Sequence, residues 1–417
     1  MKHISYHQYI LILLTLTFFA CGGKKSADST NADSQKGLVT FHLNAPPSSV
    51  EPLMLSELAD SVSYVALETT KETLTQDGVQ YGDRFYTATN NKILCFNKDG
   101  KYMHQVGNLG KGPEEYLYPP RNDYFRVDAT NNWVYCYSSD NRAVVYDENG
   151  RYVKSLKGKY VHDPIRMVYN HLIYVYDENT YNINIIDGLK NEKVNTDRMS
   201  KTQIDEKKKY LKELRDKNKV PGQNQLGMST VSPPSSSDAY FRFGVLECDT
   251  VFEARGKEVR PLCLIIQKNK YVPEDKYNNA YSFLLRPLVL VMHVLKGKLL
   301  LYVRYYSSMD QCKPEPLYIS QSDRVNYWVL CDLKDGSVTY YTNYIVNDLD
   351  GGPNIVTRKN IYCLSVEDLK NDEEVYKGFF SEGVKAKLKD QEGKFQRLLE
   401  SLANDANPII RTIHWKQ

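Results

Sequence analysis

The stretch best suited to bind a ligand is the glycine-rich run Gly107–Tyr116 (GNLGKGPEEY). A phosphate-binding loop needs glycines that open a helix, so that its first N–H groups face the anion. Here Pro113 and two glutamates follow the glycines, and no helical pattern begins. The run is more typical of a tight connection between two structural units, and its candidate ligand-facing residues are Glu114, Glu115 and Tyr116.

Two carboxylates lie beside a sharp turn in Asn347–Gly352 (NDLDGG). Calcium loops combine carboxylates and turns in this way, which makes Asp348 and Asp350 candidate calcium ligands. A full calcium loop supplies more oxygen ligands and ends in a bidentate glutamate, and neither follows here. A plain turn between strands is the competing interpretation, and no other cofactor is expected.

The remaining chemically capable residues show no catalytic spacing. No paired metal-binding motif and no Gly-x-Ser-x-Gly nucleophile motif occurs. Single histidines on strands are mostly structural, and aspartates at strand ends are mostly turn residues. A site assembled from separate units leaves no motif, so catalysis is neither indicated nor excluded. The residues concerned are His42, His104, His162, His171, His293, His414, Asp140, Asp163, Asp177 and Asp249.

A repeating β-hairpin must position these residues. FNKDGKYMHQVG at 96–107 returns as YDENGRYVKSLK at 146–157, and its Asx-Gly dipeptides supply the positive φ of a tight hairpin. Short strands continue from Arg84 onward without intervening helices, which excludes an α/β plan. One four-stranded propeller blade takes about 40–50 residues, so the spacing of the repeat favours an all-β propeller.

Two stretches interrupt the repeat, and two strands lie outside it. Gln203–Lys219 is highly charged and helix-forming, so about 201–237 is predicted to be a solvated insertion. Phe379–Leu402 is an amphipathic helix candidate within a second insertion at about 368–404. Pairing of chain ends removes the free edge of a ring. Leu38–Leu43 and Ile409–His414 are therefore expected to close a propeller domain at 38–417.

The N-terminus has the pattern of an export signal. Lys2 precedes the apolar run Ile10–Ala20, which is too short to span ~30 Å of hydrocarbon. Cys21 then resembles the lipidated cysteine of a bacterial lipoprotein signal, so 1–20 is predicted to be removed. Ordinary secretory cleavage near Ala20 is the alternative. Residues 21–37 are small and polar, as in a flexible tether.

Charge and cysteine content narrow the classes of partner. The chain has 54 basic and 51 acidic residues spread along its length, whereas nucleic-acid binding needs a clustered basic face. The cysteines after Cys21 show no zinc spacing. Those within apolar, strand-like runs are predicted to be buried thiols, namely Cys95, Cys136, Cys263, Cys331 and Cys363.

Five segments in order carry a family resemblance: LSELADSVSYVALET at 55–69, FNKDGKYMHQVGNLGKGPEEY at 96–116, CDTVFEARGKEVRPLCLI at 248–265, NDLDGGP at 347–353 and SLANDANPIIRTIHWK at 401–416. With them the chain resembles the six-bladed β-propeller lipoproteins that are numerous in Bacteroidetes. The resemblance implies a six-bladed propeller on a lipid anchor. It implies no activity, because that family is largely uncharacterised, although carbohydrate or peptide handling at the envelope is a role suggested for such proteins.

Three functional hypotheses follow. The leading one is a non-enzymatic protein at the outer membrane that binds a small molecule, glycan or peptide at the propeller face. The alternative is a metal-assisted hydrolase or lyase on the same scaffold, and the third is an accessory subunit of a nutrient-uptake complex. Lys24 and Lys25 follow the anchor instead of an acidic run, which favours the periplasmic side over the cell surface.

Overall fold

The structure is a computed structural model that describes residues 38–43, 46–75, 78–89, 91–117, 125–138, 142–157, 165–177, 182–194, 229–231, 239–245, 248–266, 287–306, 324–350, 352–355, 363–371 and 393–416. Within these ranges the chain is nearly all β-structure, as the hairpin pattern predicts. The signal, Cys21, the tether and the charged stretch 203–219 lie outside the described residues.

The strands are β1 (Val39–His42), β2 (Leu53–Met54), β3 (Ala59–Ala66), β4 (Val79–Tyr81), β5 (Arg84–Thr89), β6 (Lys92–Phe96), β7 (Tyr102–Val106), β8 (Phe125–Asp128), β9 (Trp133–Ser138), β10 (Arg142–Tyr146), β11 (Tyr152–Lys157), β12 (Ile165–Tyr169), β13 (Leu172–Asp177), β14 (Asn182–Asp187), β15 (Glu192–Lys193), β16 (Ser229–Val231), β17 (Ala239–Val245), β18 (Cys248–Arg255), β19 (Glu258–Ile266), β20 (Leu288–Leu295), β21 (Lys298–Tyr306), β22 (Arg324–Asp332), β23 (Val338–Tyr341), β24 (Ile345–Val346), β25 (Cys363–Leu364) and β26 (Ile409–Trp415). A 3-10 turn (Leu55–Glu57) and two helices, α1 (Val366–Asn371) and α2 (Gly393–Glu400), complete the described elements.

These strands form several small sheets. Sheet 1 is β4–β7, sheet 2 is β8–β11, sheet 3 is β12–β15 and sheet 5 is β20–β23; in each, strands that are neighbours in sequence pair with each other. Sheet 4 is β16–β19 with β1 added parallel to β19. Sheet 6 has the order β25-β26-β3, and β2 and β24 form a separate parallel pair.

The repeated hairpin turn is confirmed. Asn97 Oδ1 accepts the N–H groups of Asp99 and Lys101, both at 2.9 Å. Asp147 Oδ1 makes the same pair of bonds fifty positions later, to the residues that correspond in the repeat. Gly100 and Gly150 have φ of 77° and 76°, so a side-chain carboxylate or amide and a left-handed glycine build both turns.

Each of these turns also joins two sheets. The Gly100 carbonyl of sheet 1 accepts Glu68 N–H at 2.8 Å, just past β3 of sheet 6. The Gly150 carbonyl of sheet 2 accepts Gly107 N–H at 3.0 Å, just past β7 of sheet 1. A Cβ on Gly150 would lie 2.5 Å from the Gln105 carbonyl oxygen. Glycine is therefore needed for the sheets to approach this closely.

The chain ends do not pair as the sequence analysis expected. The N-terminal strand β1 adds to the outside of sheet 4, where Phe41 is fully buried. The C-terminal strand β26 pairs with β3 instead, with Arg411 opposite Tyr64. The expected pairing of 38–43 with 409–414 is thus wrong, because Phe41 of β1 packs in the core between sheets 4 and 5.

Two buried polar side chains attach β26 and the segment before it to other parts of the fold. Asn407 donates from Nδ2 to the carbonyls of Glu68 and Thr73, at 2.7 and 2.8 Å, and accepts Thr75 N–H at 2.8 Å. Arg411 has no exposed surface and donates from Nη1 to the Pro353 carbonyl. Buried polar groups are stable only when they are hydrogen-bonded, so the bonds of Asn407 require the chain ends to stay together.

The described part of the second insertion is helical, as predicted. Phe395 and Leu399 on α2 and Leu369 on α1 pack with Leu364 and Ile409 of sheet 6 in one apolar cluster. The Phe395 ring also lies 4.7 Å from the Tyr64 ring, centroid to centroid. The helices therefore cover one face of the sheet that holds both chain ends.

We expect Gly150→Ala to destabilise the domain more than Gly297→Ala. Both glycines have positive φ, of 76° and 68°, so both variants lose about 1 kcal/mol or slightly more from backbone strain. A Cβ at Gly297 meets nothing within 4 Å, whereas the clash at Gly150 adds about 1–3 kcal/mol. Urea unfolding measures both losses, and equal losses would contradict the close approach of sheets 1 and 2.

Candidate functional site

The glycine-rich connection between sheets 1 and 2 is held by a buried arginine. Arg142, at the start of β10, is 7% exposed. Its guanidinium donates to the carbonyls of Gly112 (3.1 Å), Pro113 (2.9 Å) and Glu115 (3.2 Å). Hydrogen bonds from a charged donor are the stronger kind. These three hydrogen bonds therefore fix the loop against sheet 2.

Two hydroxyl groups from sheet 2 hold the same loop. Tyr146 donates to the Glu114 carbonyl at 2.8 Å, and Ser155 donates to the Pro113 carbonyl at 3.0 Å. Within the loop, Gly110 N–H donates to the Tyr116 carbonyl and Tyr116 N–H donates to the Asn108 carbonyl, both at 3.0 Å. These hydrogen bonds thus hold the connection in one conformation, so its surface is preformed.

The three candidate ligand-facing residues lie in different environments. Glu114 is exposed and Glu115 is half-buried. The Glu115 carboxylate folds back to accept Gly112 N–H at 2.8 Å, and a Cβ on Gly110 would collide with it. Tyr116 is 2% exposed and its ring meets Tyr146 edge-on at 6.2 Å. Tyr116 is a core residue and does not face a ligand, because its ring fills the space between sheets 1 and 2.

The carboxylates of Asp348 and Asp350 bind protein donors. Asp348 accepts the backbone N–H of Ser56 at 2.8 Å and its hydroxyl at 2.5 Å. Asp350 Oδ1 accepts Asn347 Nδ2 at 2.7 Å, Gly352 N–H at 3.0 Å and the Tyr64 hydroxyl at 3.3 Å. These are the contacts of turn residues that hold 347–354 against the N-terminal segment. Calcium binding here stays a prediction.

A third polar cluster was missed by sequence reasoning. Asp128 is fully buried between sheets 2 and 3 and accepts the backbone N–H groups of Asn170 (3.0 Å) and His171 (2.7 Å). The His171 Nδ1 atom lies 3.3 Å from the Tyr135 hydroxyl and 3.8 Å from Asp128 Oδ2. The carboxylate thus fills a nest of two N–H groups from the next sheet. The Asp-x-x-Asn run after β8 indicated a turn, but not its partner 42 residues away.

Sequence reasoning also missed Arg142. The signal was a basic residue at the start of β10, whose five residues are all buried. A buried arginine must find acceptors, but neither its burial nor the loop that supplies the acceptors can be read from the sequence.

Burial raises the pKa of several thiols and phenols, which favours their neutral forms. It raises the pKa of Cys263 to about 12 and raises the pKa of Cys95, Cys136 and Cys331 as well. These four cysteines are buried, as predicted, while Cys363 is half-buried. Burial also lowers the pKa of His293 to about 4. These shifts oppose ionisation, whereas an activated nucleophile needs a depressed pKa.

The described ranges contain no group of three or more His, Cys, Asp and Glu residues that could hold a metal ion. No helix in the same ranges is long and apolar enough to cross a membrane. His42 and His414 lie exposed on β1 and β26. Asp177 ends β13 and Asp249 lies in β18, whereas Asp140, Asp163 and His162 lie outside the described residues.

We expect Arg142→Ala to release the loop and Arg151→Ala, a matched exposed arginine, to change little. Removing the guanidinium leaves three loop carbonyls without this donor, which costs about 2–4 kcal/mol. Hydrogen exchange should accelerate at the Gly110 and Tyr116 amides, and urea unfolding should report the lost stability. Unchanged exchange at both amides would show that the arginine does not fix the loop.

Comparison with known proteins gives a family and a fold. None of the curated proteins matches the chain. A crystal structure of a Bacteroides fragilis protein that is named as exported is similar, with a TM-score of 0.54 and 13% sequence identity over 91% of this chain and 99% of that one. At this identity the similarity shows the fold alone.

Two propeller domains are also similar. That of Cps50 (Swd1) from Myceliophteria thermophila has a TM-score of 0.31 and 8% identity over 65% of this chain and 87% of its own. The WD40 propeller of Doa1 has a TM-score of 0.30 and 10% identity over 66% and 71%. These scores are too low to carry an argument about this chain. Its own sheets, most of them four sequence-adjacent antiparallel strands, make the fold all-β and propeller-like.

Residues 38–414, most of the chain, match the family model described as "Domain of unknown function (DUF4934)". The chain belongs to the DUF4934 family.

Proposed function

We propose that this chain is an exported lipoprotein whose six-bladed propeller binds a ligand or partner at one end of its sheets. Residues 1–20 are the signal, Cys21 carries the lipid, 21–37 form the tether and 38–417 the propeller. The similarity to a protein named as exported supports the export step. The location we propose is the outer membrane, facing the periplasm.

A closed ring of six blades is supported by the order in which core clusters join the sheets. Apolar clusters lie between sheets 1 and 2, 2 and 3, 3 and 4, 4 and 5, and 5 and 6. A further cluster joins sheet 6 to sheet 1, where Ile410 packs against Phe85 and Phe96. Each sheet thus has two neighbours, which is the arrangement of blades in a ring.

The observation that carries the proposed site is the difference between the two ends of the sheets. Nine of the tight turns leave from one end, at 82–83, 97–101, 129–132, 147–151, 170–171, 188–191, 256–257, 296–297 and 333–337. The other end has the two-residue links between β5 and β6 and between β17 and β18, and it also has four long connections, at 107–124, 194–228, 267–287 and 307–323. We call this second end the connection end.

Contacts at the tight-turn end leave little freedom for recognition. There the turn of sheet 3 binds Asp128 of sheet 2, and the Gly82 turn of sheet 1 approaches Ala129 of sheet 2. Binding residues on rigid scaffolds lie mostly on longer connections. The described part of the connection end, 107–117, presents Lys111, Pro113 and Glu114 to solvent on a loop already fixed by Arg142.

This surface suits a polar ligand of low net charge. Lys111 and Glu114 offer both signs of charge on a preformed loop, as hydrogen bonding to a glycan or peptide requires. The same surface could equally receive a protein of an uptake complex. The metal-assisted hydrolase remains the alternative hypothesis.

Lipid attachment is tested by Cys21→Ser, with Cys363→Ser as the matched control. The wild-type chain and the control should stay with membranes after a high-salt wash, and the Cys21 variant should become salt-extractable. Mass spectrometry of the N-terminal peptide should show acylated Cys21. An unmodified Cys21 would refute the anchor.

Ligand binding is tested with a panel of glycans and peptides on the mature chain. For a ligand that binds, a Lys111→Ala/Glu114→Ala double variant should weaken the affinity by about tenfold. Lys98→Ala/Asp99→Ala changes the same charges at the exposed turn between β6 and β7 and should leave the affinity unchanged. A larger effect of the control would refute the connection-end site. Stoichiometric metal in the purified chain, lost on chelation together with substrate turnover, would favour the hydrolase instead.

A further inference from the structure

The outer strands of sheets 1 and 2 each turn one apolar side chain outward. The register of β6 with β7 shifts between Cys95 and Phe96, and that of β10 with β11 shifts between Val145 and Tyr146. Each shift is a β-bulge, which leaves one residue of the outer strand unpaired. Those residues are Met103 and Val153, which are 43% and 38% exposed. They occupy equivalent positions in the repeat, so the same bulge exposes an apolar side chain on both outer strands.

The exposed Val153 side chain lies beside a basic surface. Lys154 donates from Nζ to the Leu189 carbonyl at 2.8 Å, and Asn191 Nδ2 donates to the Lys157 carbonyl at 2.9 Å. These bonds hold β11 of sheet 2 against the turn before β15 of sheet 3. Leu189 is 54% exposed at the tip of that turn. We define the basic rim as Arg151, Val153, Lys154, Lys157, Leu189 and Lys190.

The basic rim has four cationic side chains, of which Arg151, Lys157 and Lys190 are exposed. Four carboxylates lie nearby. Glu148 pairs with Arg84 at 3.7 Å. The other three, beside the four cations of the rim, are Asp147, which accepts Arg151 N–H at 2.9 Å, the half-buried Asp187 and the exposed Glu192. The Asp187 carboxylate accepts the N–H groups of Leu189 and Lys190 at 2.9 and 3.1 Å. Partial burial lowers the pKa of Lys154, and Asp187 opposes that shift.

We propose that the basic rim docks on an anionic phospholipid surface. Apolar tips that enter the headgroup region, ringed by lysine and arginine, are the combination that binds such membranes. The rim consists of an exposed turn and a bulge, so it projects outward and suits a deformable lipid surface better than a shaped protein partner. A predicted tether over 21–37 can extend ~60 Å at most, which keeps the domain beside its membrane. This inference rests on the proposed anchor.

The test uses the mature chain, residues 21–417, with Cys21→Ser, so that no lipid anchor contributes. We expect co-sedimentation with phosphatidylcholine–phosphatidylglycerol vesicles, weak binding to phosphatidylcholine alone, and release by salt, since screened charges attract less. Adding Lys157→Glu and Lys190→Glu should lower the partition coefficient at least about tenfold. Adding Leu189→Ser should lower it by about threefold.

Matched controls lie in sheet 5. Lys296→Glu/Lys334→Glu makes the same charge change at exposed turns, and Val325→Ser removes a residue that is 38% exposed. Both should leave binding unchanged. Equal losses in the rim and control variants, or no preference for anionic vesicles, would overturn the inference. Rim-dependent binding to soluble polyglutamate but not to vesicles would overturn it in favour of an acidic protein.

The outcome is independent of the anchor. Because Cys21 is absent from this chain, failure of vesicle binding would leave lipidation of the wild-type protein unaffected. Conversely, an unmodified Cys21 in the wild-type protein would refute the anchor and leave the vesicle result standing.

Discussion

The hydrogen bonds that Asn407 makes across the chain ends are the constraint on which the rest of this fold depends. Neighbouring sheets contact each other mainly through side-chain packing. Packing alone would allow the first and last sheets to separate. In sheet 6, strands from the two ends of the described chain pair, β3 with β26. The buried Asn407 amide loses its partners if that pairing opens, and unpartnered buried polar groups are costly. Side-chain hydrogen bonds and backbone strand pairing therefore both hold the chain ends together at sheet 6.

The same use of buried polar groups recurs between other sheets. Asp128 ties sheet 2 to sheet 3, and Arg142 ties the connection from sheet 1 onto sheet 2. In each case a charged side chain accepts or donates bonds to backbone groups of a neighbouring segment. These residues could be mistaken for catalytic groups from their types alone. Their contacts are those of a scaffold, which leaves recognition to the exposed loop at the connection end and to the outer rim.

Local features of the fold could be predicted from the sequence, and long-range ones could not. The Asx-Gly turns at Gly100 and Gly150 are encoded by adjacent residues, and the strands from Arg84 to Asp187 follow alternating patterns between such turns. The first half of β3 carries no apolar alternation, because the polar side chains of Asp60, Ser61 and Ser63 are exposed on an outer strand. The parallel placement of β1 on β19 depends on packing between distant segments. Of the candidate site, Glu114 is exposed and its ligand-facing role stays a prediction, whereas the role of Arg142 needed the fold.

The most direct test of the account is hydrogen exchange of the mature Asn407→Asp variant. The substitution keeps the size of the side chain. It replaces the amide group that donates to two backbone carbonyls with a carboxylate oxygen, which cannot donate to them. If the chain ends hold one closed scaffold, protection should fall in all six sheets together, in a single cooperative transition. Loss confined to residues 63–75 and the C-terminal strand, with sheets 2 to 5 still fully protected, would contradict this account.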